Sequence, residues 1–169
     1  MQSLRVKSKL LLSSFDDGSV KIFNTKKLPH LREIFSVQAY QNEMIYALQS
    51  FCIKGKEYVI TSGLDNTLKI WHFIKGKMKL LKVIHLEHKI ADSVVYLEKY
   101  NMVAVSYETN HIDFFKLPCW KLEKKFRFDE PSRRQGLFLM KDRNMIGCSG
   151  HFGCECKKID FIQWNKKKD

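Results

Sequence analysis

Short apolar segments recur at regular intervals along the chain, with polar residues between them. Four tetrapeptides share the order apolar, charged, apolar, apolar, and they occupy residues 20–23, 68–71, 112–115 and 159–162. Their third residues stand at positions 22, 70, 114 and 161, so the successive steps are 48, 44 and 47 residues. Because a period of about 20 to 50 residues is typical of repeat architectures, this spacing predicts four copies of one structural unit.

A second apolar run precedes each of the first three tetrapeptides and ends in a serine. Ser14, Ser62 and Ser106 each stand six residues before the tetrapeptide begins. The residues between include Asp and Asn, which favour tight turns because their side chains bond the local backbone. Each unit is therefore predicted to be a strand, a tight turn and a strand. The fourth tetrapeptide begins ten residues after Ser149, and this insertion of four residues gives a loop room to form.

Further apolar segments flank the hairpins and predict additional strands. They precede the hairpins at residues 45–48, 93–97 and 137–140 and follow them at residues 32–37, 78–84 and 122–128. β-Branched and aromatic residues dominate, which favours strands over helices. Four strands in about 45 residues are typical of a β-propeller blade, and an ordinary antiparallel β-sandwich is the alternative. We predict an all-β fold in one domain, 1–169, with blade units at about 1–37, 38–84, 85–128 and 129–169.

Residues 61–71 resemble the end of a WD repeat, which usually closes with Asp-x-Thr-φ-Lys-φ-Trp, where φ is aliphatic. Residues 13–24 are similar but have Phe23 in place of the tryptophan. The resemblance implies a divergent and incomplete WD-repeat-like β-propeller. It would have about four four-stranded antiparallel blades, or be an open arc of a larger propeller.

In WD repeats a turn Asp, a strand Ser or Thr, a loop His and the Trp hydrogen-bond together within a blade. Asp65, Thr61 and Trp71 match three of these residues, whereas Tyr40 and Gln41 stand in the region of the histidine. The position of Asp65 in a turn favours a structural role over the alternative of a general acid. The family generally closes a ring of more blades than this chain holds. We expect the end blades to be completed by more sequence, by another subunit or by self-association of a second copy.

The chain is strongly basic, with 30 Lys and Arg against 18 Asp and Glu and a formal net charge of +12. Lysines recur in residues 75–82, 121–127 and 157–168. They are interpreted either as an electrostatic footprint for RNA, DNA or an acidic protein, or as edge-strand lysines that block unwanted strand pairing. Arg133 and Arg134 are the more specific anion candidates because guanidinium groups bind phosphate with paired donors. Trp120 follows Pro118 in a connecting segment and is a candidate for stacking on a base or peptide.

A cysteine-rich segment before the fourth tetrapeptide is the one candidate metal site. Its residues are Cys148, His151, Cys154 and Cys156. Thiolates and imidazole suit tetrahedral zinc, but Cys148 ends a predicted buried strand and Cys-x-Cys is tighter than the usual spacing. A reduced cysteine-rich loop without metal is the favoured interpretation, in keeping with an odd total of five cysteines.

The sequence contains no phosphate-binding Gly-rich loop, no His-Glu-x-x-His and no Gly-x-Ser-x-Gly, so we expect neither an enzyme nor a cofactor. It contains no run of 18 apolar residues and no secretory signal, which predicts an intracellular protein, cytoplasmic or nuclear, without a membrane span.

We predict a non-catalytic scaffold that mediates protein–protein interactions in a larger complex, and the alternative is an RNA-binding scaffold that uses the basic surface. The candidate contact residues are Asp17, Asp65, Asn110, Trp120, Arg133 and Arg134. We expect the turns of the first three hairpins to share one rim.

Overall fold

The computed structural model describes residues 2–6, 10–27, 29–87, 90–109, 111–127, 133–140, 145–152 and 155–163. Within these ranges the chain forms fifteen β-strands, arranged in four sheets, and one short 3-10 helix, Glu98–Tyr100. The prediction of an all-β fold built from blade-like antiparallel sheets is confirmed. No helix in the described ranges has the length and hydropathy needed to cross a bilayer.

Strands pair with their neighbours in sequence, so each sheet is a simple meander. The first sheet contains β1 (Gln2–Val6), β2 (Leu10–Ser14), β3 (Ser19–Asn24) and β4 (Arg32–Gln38). The second contains β5 (Ile45–Ile53), β6 (Lys56–Gly63), β7 (Thr67–Ile74) and β8 (Lys77–His85). The third contains β9 (Ala91–Leu97), β10 (Met102–Tyr107), β11 (His111–Lys116) and β12 (Lys121–Arg127). The fourth contains β13 (Arg133–Met140), β14 (Met145–Phe152) and β15 (Glu155–Gln163).

The four tetrapeptides occupy the same place in every sheet. Each lies on the third strand, namely β3, β7, β11 and β15. In the first three sheets this strand also pairs with the fourth strand through a bulge at one repeated position. The extra residues at the bulges are Ile34, Leu81 and Glu123. A bulge inserts one unpaired residue and increases local twist. The three sheets therefore share this irregularity as well as their strand order.

The insertion in the fourth unit lengthens the hairpin, which differs from the loop expected there. Pairing continues from Ser149 and Ile159 outward to Phe152 and Glu155, with one irregularity after Gly150. Extra residues on both sides of a turn can continue the ladder, because each added pair satisfies backbone donors and acceptors.

The chain divides into two compact units, Met1–Ala91 and Asp92–Asp169. In the first unit β5 lies beside β1 and β2, and the core between the two sheets includes Leu12, Ile22, Val59 and Trp71. In the second unit β10 lies beside β13. The core there includes Ala104, Ile112, Phe114, Leu137 and Ile146. Apolar side chains on both faces of the middle strands explain why their sequences lack strict alternation. The assignment of the whole chain to one domain with the blade bounds given above stays a prediction.

Candidate functional site

The β2–β3 turn is fixed by its own side chains and by the segment that follows β4. Asp17 Oδ1 accepts a hydrogen bond from the Ser19 backbone N–H at 2.8 Å, and this hydrogen bonding by Ser19 lowers the pKa of Asp17. Gly18 has a φ of 82°, and its carbonyl accepts from the N–H groups of Ala39 and Tyr40 at 3.0 and 3.1 Å. A Cβ at Gly18 would overlap the carbonyl oxygen of Tyr40, so only glycine fits here.

The β6–β7 turn uses the same Asp-centred chemistry. Asp65 Oδ1 accepts from the Thr67 backbone N–H at 3.0 Å and from the Thr67 hydroxyl at 2.6 Å. Asn66 takes the left-handed conformation with a φ of 58°, which Asn tolerates better than most residues. Asp65 therefore has the structural role that its turn position predicts, and its Oδ2 lies 3.2 Å from the Lys69 ammonium. Its bonds go to Thr67 and Lys69 rather than to Thr61 and Trp71, which the resemblance implied.

Tyr40 connects the two turns. It lies between β4 and β5, is 1% exposed, and its hydroxyl lies 2.8 Å from the Thr61 carbonyl and 3.2 Å from the Thr61 hydroxyl. Burial raises the pKa of Tyr40 well above its ordinary value, so the phenol stays protonated and donates to the carbonyl. The Trp71 indole N–H donates to the Thr61 hydroxyl at 3.0 Å. A tyrosine hydroxyl has one proton, and Tyr40 donates it to the Thr61 carbonyl, so the Thr61 hydroxyl must donate to the Tyr40 oxygen. A continuous chain of hydrogen bonds therefore runs from the Trp71 indole through the Thr61 hydroxyl to Tyr40.

Lys69 adds a positive charge to the contacts around Tyr40. Its ammonium donates to the Ala39 carbonyl at 2.7 Å and lies 3.8 Å from the centre of the Tyr40 ring. This is a cation–π geometry in which the partial burial of Lys69 strengthens the attraction. The same ammonium pairs with Asp65, so one lysine joins the turn carboxylate to the segment beside the other turn.

Gln38 and Gly63 complete the contacts around Tyr40. The Gln38 amide nitrogen lies 2.6 Å from the carbonyl oxygens of both Asp17 and Tyr40. A Cβ at Gly63 would overlap the Tyr40 ring, so the ring packs directly on the backbone of β6. We call Gln38, Tyr40, Thr61, Asp65, Lys69 and Trp71 the Tyr40 cluster. Its members bind one another, and these contacts hold the β2–β3 and β6–β7 turns together on one side of the first unit.

Tyr40 is the residue whose role sequence reasoning missed. The sequence pattern marks its place only as the region where the resemblance implies a histidine. The presence of a tyrosine was itself a signal of a buried contact, because its ring favours burial and its hydroxyl then needs a hydrogen-bond partner. What the sequence did not indicate was that this hydroxyl would reach Thr61 rather than the turn carboxylate of Asp65.

The equivalent hairpin of the second unit has a different polar network. Thr109 Oγ1 lies 3.2 Å from His111 Nδ1, and the Tyr107 hydroxyl donates to Asp113 Oδ2 at 2.8 Å. Asp113 is buried on β11, at the position that Lys69 holds on β7. The third sheet therefore has a tyrosine–aspartate pair where the second sheet has a lysine-centred cluster.

The predicted contact residues fall in several places. Asp17 and Asp65 are exposed in the two turns that the Tyr40 cluster joins. Trp120 lies in the β11–β12 turn with a φ of 58°, is partly buried, and its N–H donates to the Lys116 carbonyl at 2.8 Å. Arg133 and Arg134 open β13. Asn110 lies outside the described residues, and the interaction role of all six residues stays a prediction.

The zinc alternative also stays untested, because Cys154 lies outside the described residues. Cys148 pairs with Asp160 across the β14–β15 ladder, four residues along β15 from Cys156 and therefore about 13 Å away along the strand. Among the side chains that the structure describes, no group of three or more His, Cys, Asp or Glu residues could hold a metal ion.

Comparison with known proteins found one informative similarity. No protein-family model matches the chain. A chicken (Gallus gallus) protein named "p21-activated protein kinase-interacting protein 1-like" is 29% identical over 107 residues, which is 63% of this chain. The matched part spans 26% of that relative, about a quarter of its length.

Proposed function

We propose that this chain is a non-catalytic, WD-repeat-like scaffold that binds other proteins and helps to assemble a larger complex. The blade-like sheets and the similarity to a protein named for its interaction with a kinase support the proposal. The observation that carries it is the Tyr40 cluster, because it fixes two neighbouring turns on one side of the first unit. Binding sites commonly consist of turns held on a rigid scaffold.

The turns held by the Tyr40 cluster display residues suited to protein contact. Leu64 in the β6–β7 turn is 41% exposed, and Met44 in the β4–β5 segment is 44% exposed. Asp16 and Asp17 are exposed in the β2–β3 turn. Exposed apolar anchors with polar neighbours match the usual composition of a binding surface, in which a few residues supply most of the affinity.

A capture experiment tests this function. The immobilised chain is incubated with a cell extract, with and without nuclease treatment, at low and at high salt, and bound proteins are identified by mass spectrometry. We expect a defined set of proteins that persists at high salt and is lost in the Met44→Ser/Leu64→Ser variant. Ile74→Ser is the matched control, because Ile74 is equally apolar, is 44% exposed, and lies at the opposite end of β7.

Two results would contradict the scaffold proposal. The first is capture that responds to Ile74→Ser as strongly as to the variant at the turns. The second is capture that disappears with nuclease treatment or at high salt, which supports the alternative of an RNA-binding scaffold. The exposed Lys121, Lys124, Lys125 and Arg127 on β12 are the observation that favours this alternative.

A further inference from the structure

The outer strand of the second sheet, β8, exposes apolar and basic side chains together. Leu80, Leu81 and Val83 are 44%, 49% and 37% exposed. Lys77, Lys79 and Lys82 are exposed on the same strand. Residues 75–82 contain four lysines and no Asp or Glu. We call these six side chains of β8 the β8 patch.

Protection of an edge does not account for the β8 patch. Lysines on an edge strand deter pairing with other strands, and β12 shows that arrangement. The exposed side chains of β12 are charged, while its apolar residues, Leu122 and Phe126, are partly buried. In contrast, β8 exposes three large apolar side chains at the same kind of edge. Large exposed apolar patches are rare on soluble monomeric proteins, and where they occur they commonly mark binding surfaces.

The strand register separates the β8 patch into two rows. Directly paired residues share a face of the sheet. Lys77, Lys79 and Lys82 pair with Ile74, His72 and Ile70, which are alternate residues of β7 and so lie on one face. Leu80 and Val83 pair with Trp71 and Lys69, so they lie on the other face. The outer edge of β8 therefore has a basic row on one side and an apolar row on the other.

An extended peptide lying along this edge would place successive side chains on alternate faces. In such a peptide, every second residue meets the basic row and the residues between meet the apolar row. β8 is nine residues long, so it offers a track of about 30 Å. Within the described residues, β8 ends its sheet and no strand pairs with its outer edge.

We propose that β8 binds an extended segment of a partner protein in which acidic and apolar residues alternate. This inference rests on the scaffold function proposed above and names the chemistry of one partner. A second copy of this chain is a poor occupant, because it would bring the same lysines together in a molecule of net charge +12. RNA would pair with the lysines and leave Leu80, Leu81 and Val83 without a partner.

The test uses the full chain and three fluorescein-labelled ten-residue peptides. One alternates Glu with Leu or Val, the second has the same composition in an acidic block and an apolar block, and the third alternates Glu with Ser. Fluorescence anisotropy is measured at low and high salt, because charge pairs at an exposed edge weaken as salt screens them. We expect the alternating Glu–Leu/Val peptide to bind at least about tenfold more tightly than the other two.

Variants of β8 then assign the binding to its two rows. We expect Leu80→Thr/Val83→Thr to weaken binding about tenfold, and Lys77→Gln/Lys79→Gln to weaken it while reducing its salt dependence. Threonine suits strands, and circular dichroism checks that each variant remains folded. Lys121→Gln/Lys124→Gln removes two lysines from the β12 edge and is expected to leave affinity within about twofold.

Several outcomes would overturn the inference. They are equal binding of the block and alternating peptides, equal loss of affinity in the β12 variant, and binding that is insensitive to Leu80→Thr/Val83→Thr. Tighter binding of a ten-nucleotide RNA, or of phosphatidylserine vesicles, that depends on Lys77 and Lys79 would also reject a peptide as the occupant. If protein capture still depends on Met44 and Leu64 in any of these cases, the scaffold function stands and only the β8 inference fails.

Discussion

Tyr40 illustrates how one side chain can join two turns that lie on different sheets. Its backbone binds Gly18 of the first sheet, and its hydroxyl binds Thr61 of the second. Its ring receives the Lys69 ammonium on one side and packs against Gly63. A buried tyrosine can make these contacts together because it has a large apolar ring and a polar end. Tyr40 therefore stands in the region where the resemblance implied a histidine, and it binds Thr61 through its hydroxyl.

Removal of the Tyr40 hydroxyl tests this role. Tyr40→Phe keeps the ring and leaves the buried Thr61 groups short of a partner, so we expect the free energy of unfolding to fall by about 1–3 kcal/mol. Urea denaturation followed by tryptophan fluorescence measures the change. Tyr58→Phe is the control, since the Tyr58 ring stacks on His72 at a centroid distance of 5.4 Å and is only partly buried. Equal losses in the two variants would show that the Thr61 hydrogen bonds add nothing.

Sequence reasoning at this scale succeeded where a residue acts locally. The roles of Asp17 and Asp65 follow from turn chemistry over two residues, and both bonds are present. The partner of Tyr40 is 21 residues away, and that distance is set by the packing of two sheets. Such a contact has no local sequence pattern, so the sequence of residues 39–42 alone does not predict the partner of Tyr40.

Among the elements, the strands were predicted well because burial on both faces selects β-branched and aromatic residues. The third strands were predicted from the tetrapeptide pattern, its spacing and the serine that precedes it. The length of the β14–β15 hairpin was not, because a glycine such as Gly150 is more typical of turns than of strands, so the insertion was expected to form a loop. The bulges at Ile34, Leu81 and Glu123 were also invisible, because a bulge needs one extra residue and no particular residue type.

Strand position predicts a pattern of amide hydrogen exchange. β6, β7 and β10 are paired on both sides and largely buried, whereas β8 and β12 are outer strands with exposed residues. We expect amides of the first group to exchange slowest and those on the unpaired edges of β8 and β12 to exchange fast, because local opening exposes edge strands first. Exchange measured by NMR tests this, and protection of β8 equal to that of β6 would contradict it.

At the scale of the whole molecule, the sequence predicted blades and the structure describes sheets that form two compact units. How many blades complete the assembly is a property of surfaces that apolar patterning does not encode. A sheet face of one unit is apolar whether its neighbour belongs to the same chain or to another. This is why the repeat could be found from sequence and the partner could not.

The open-arc interpretation predicts the behaviour of the isolated chain. If end sheets lack neighbours, their apolar faces favour self-association or bind a hydrophobic dye, because large exposed apolar patches rarely persist in monomers. We expect analytical ultracentrifugation to show association that increases with concentration, or dye fluorescence above that of a compact control protein. A monomer at high concentration that binds no dye would contradict the interpretation.

The recurrent bulge gives the outer strands a set of interchangeable positions. Ile34, Leu81 and Glu123 stand at equivalent places, and two of them are aliphatic while the third is acidic. Since the extra residue of a bulge has no opposite residue of its own, its side chain can change without a matching change on the adjacent strand. Mutation at these three sites can therefore alter the polarity of each sheet's rim independently, and the same sites are suitable for attaching labels or grafting new recognition residues.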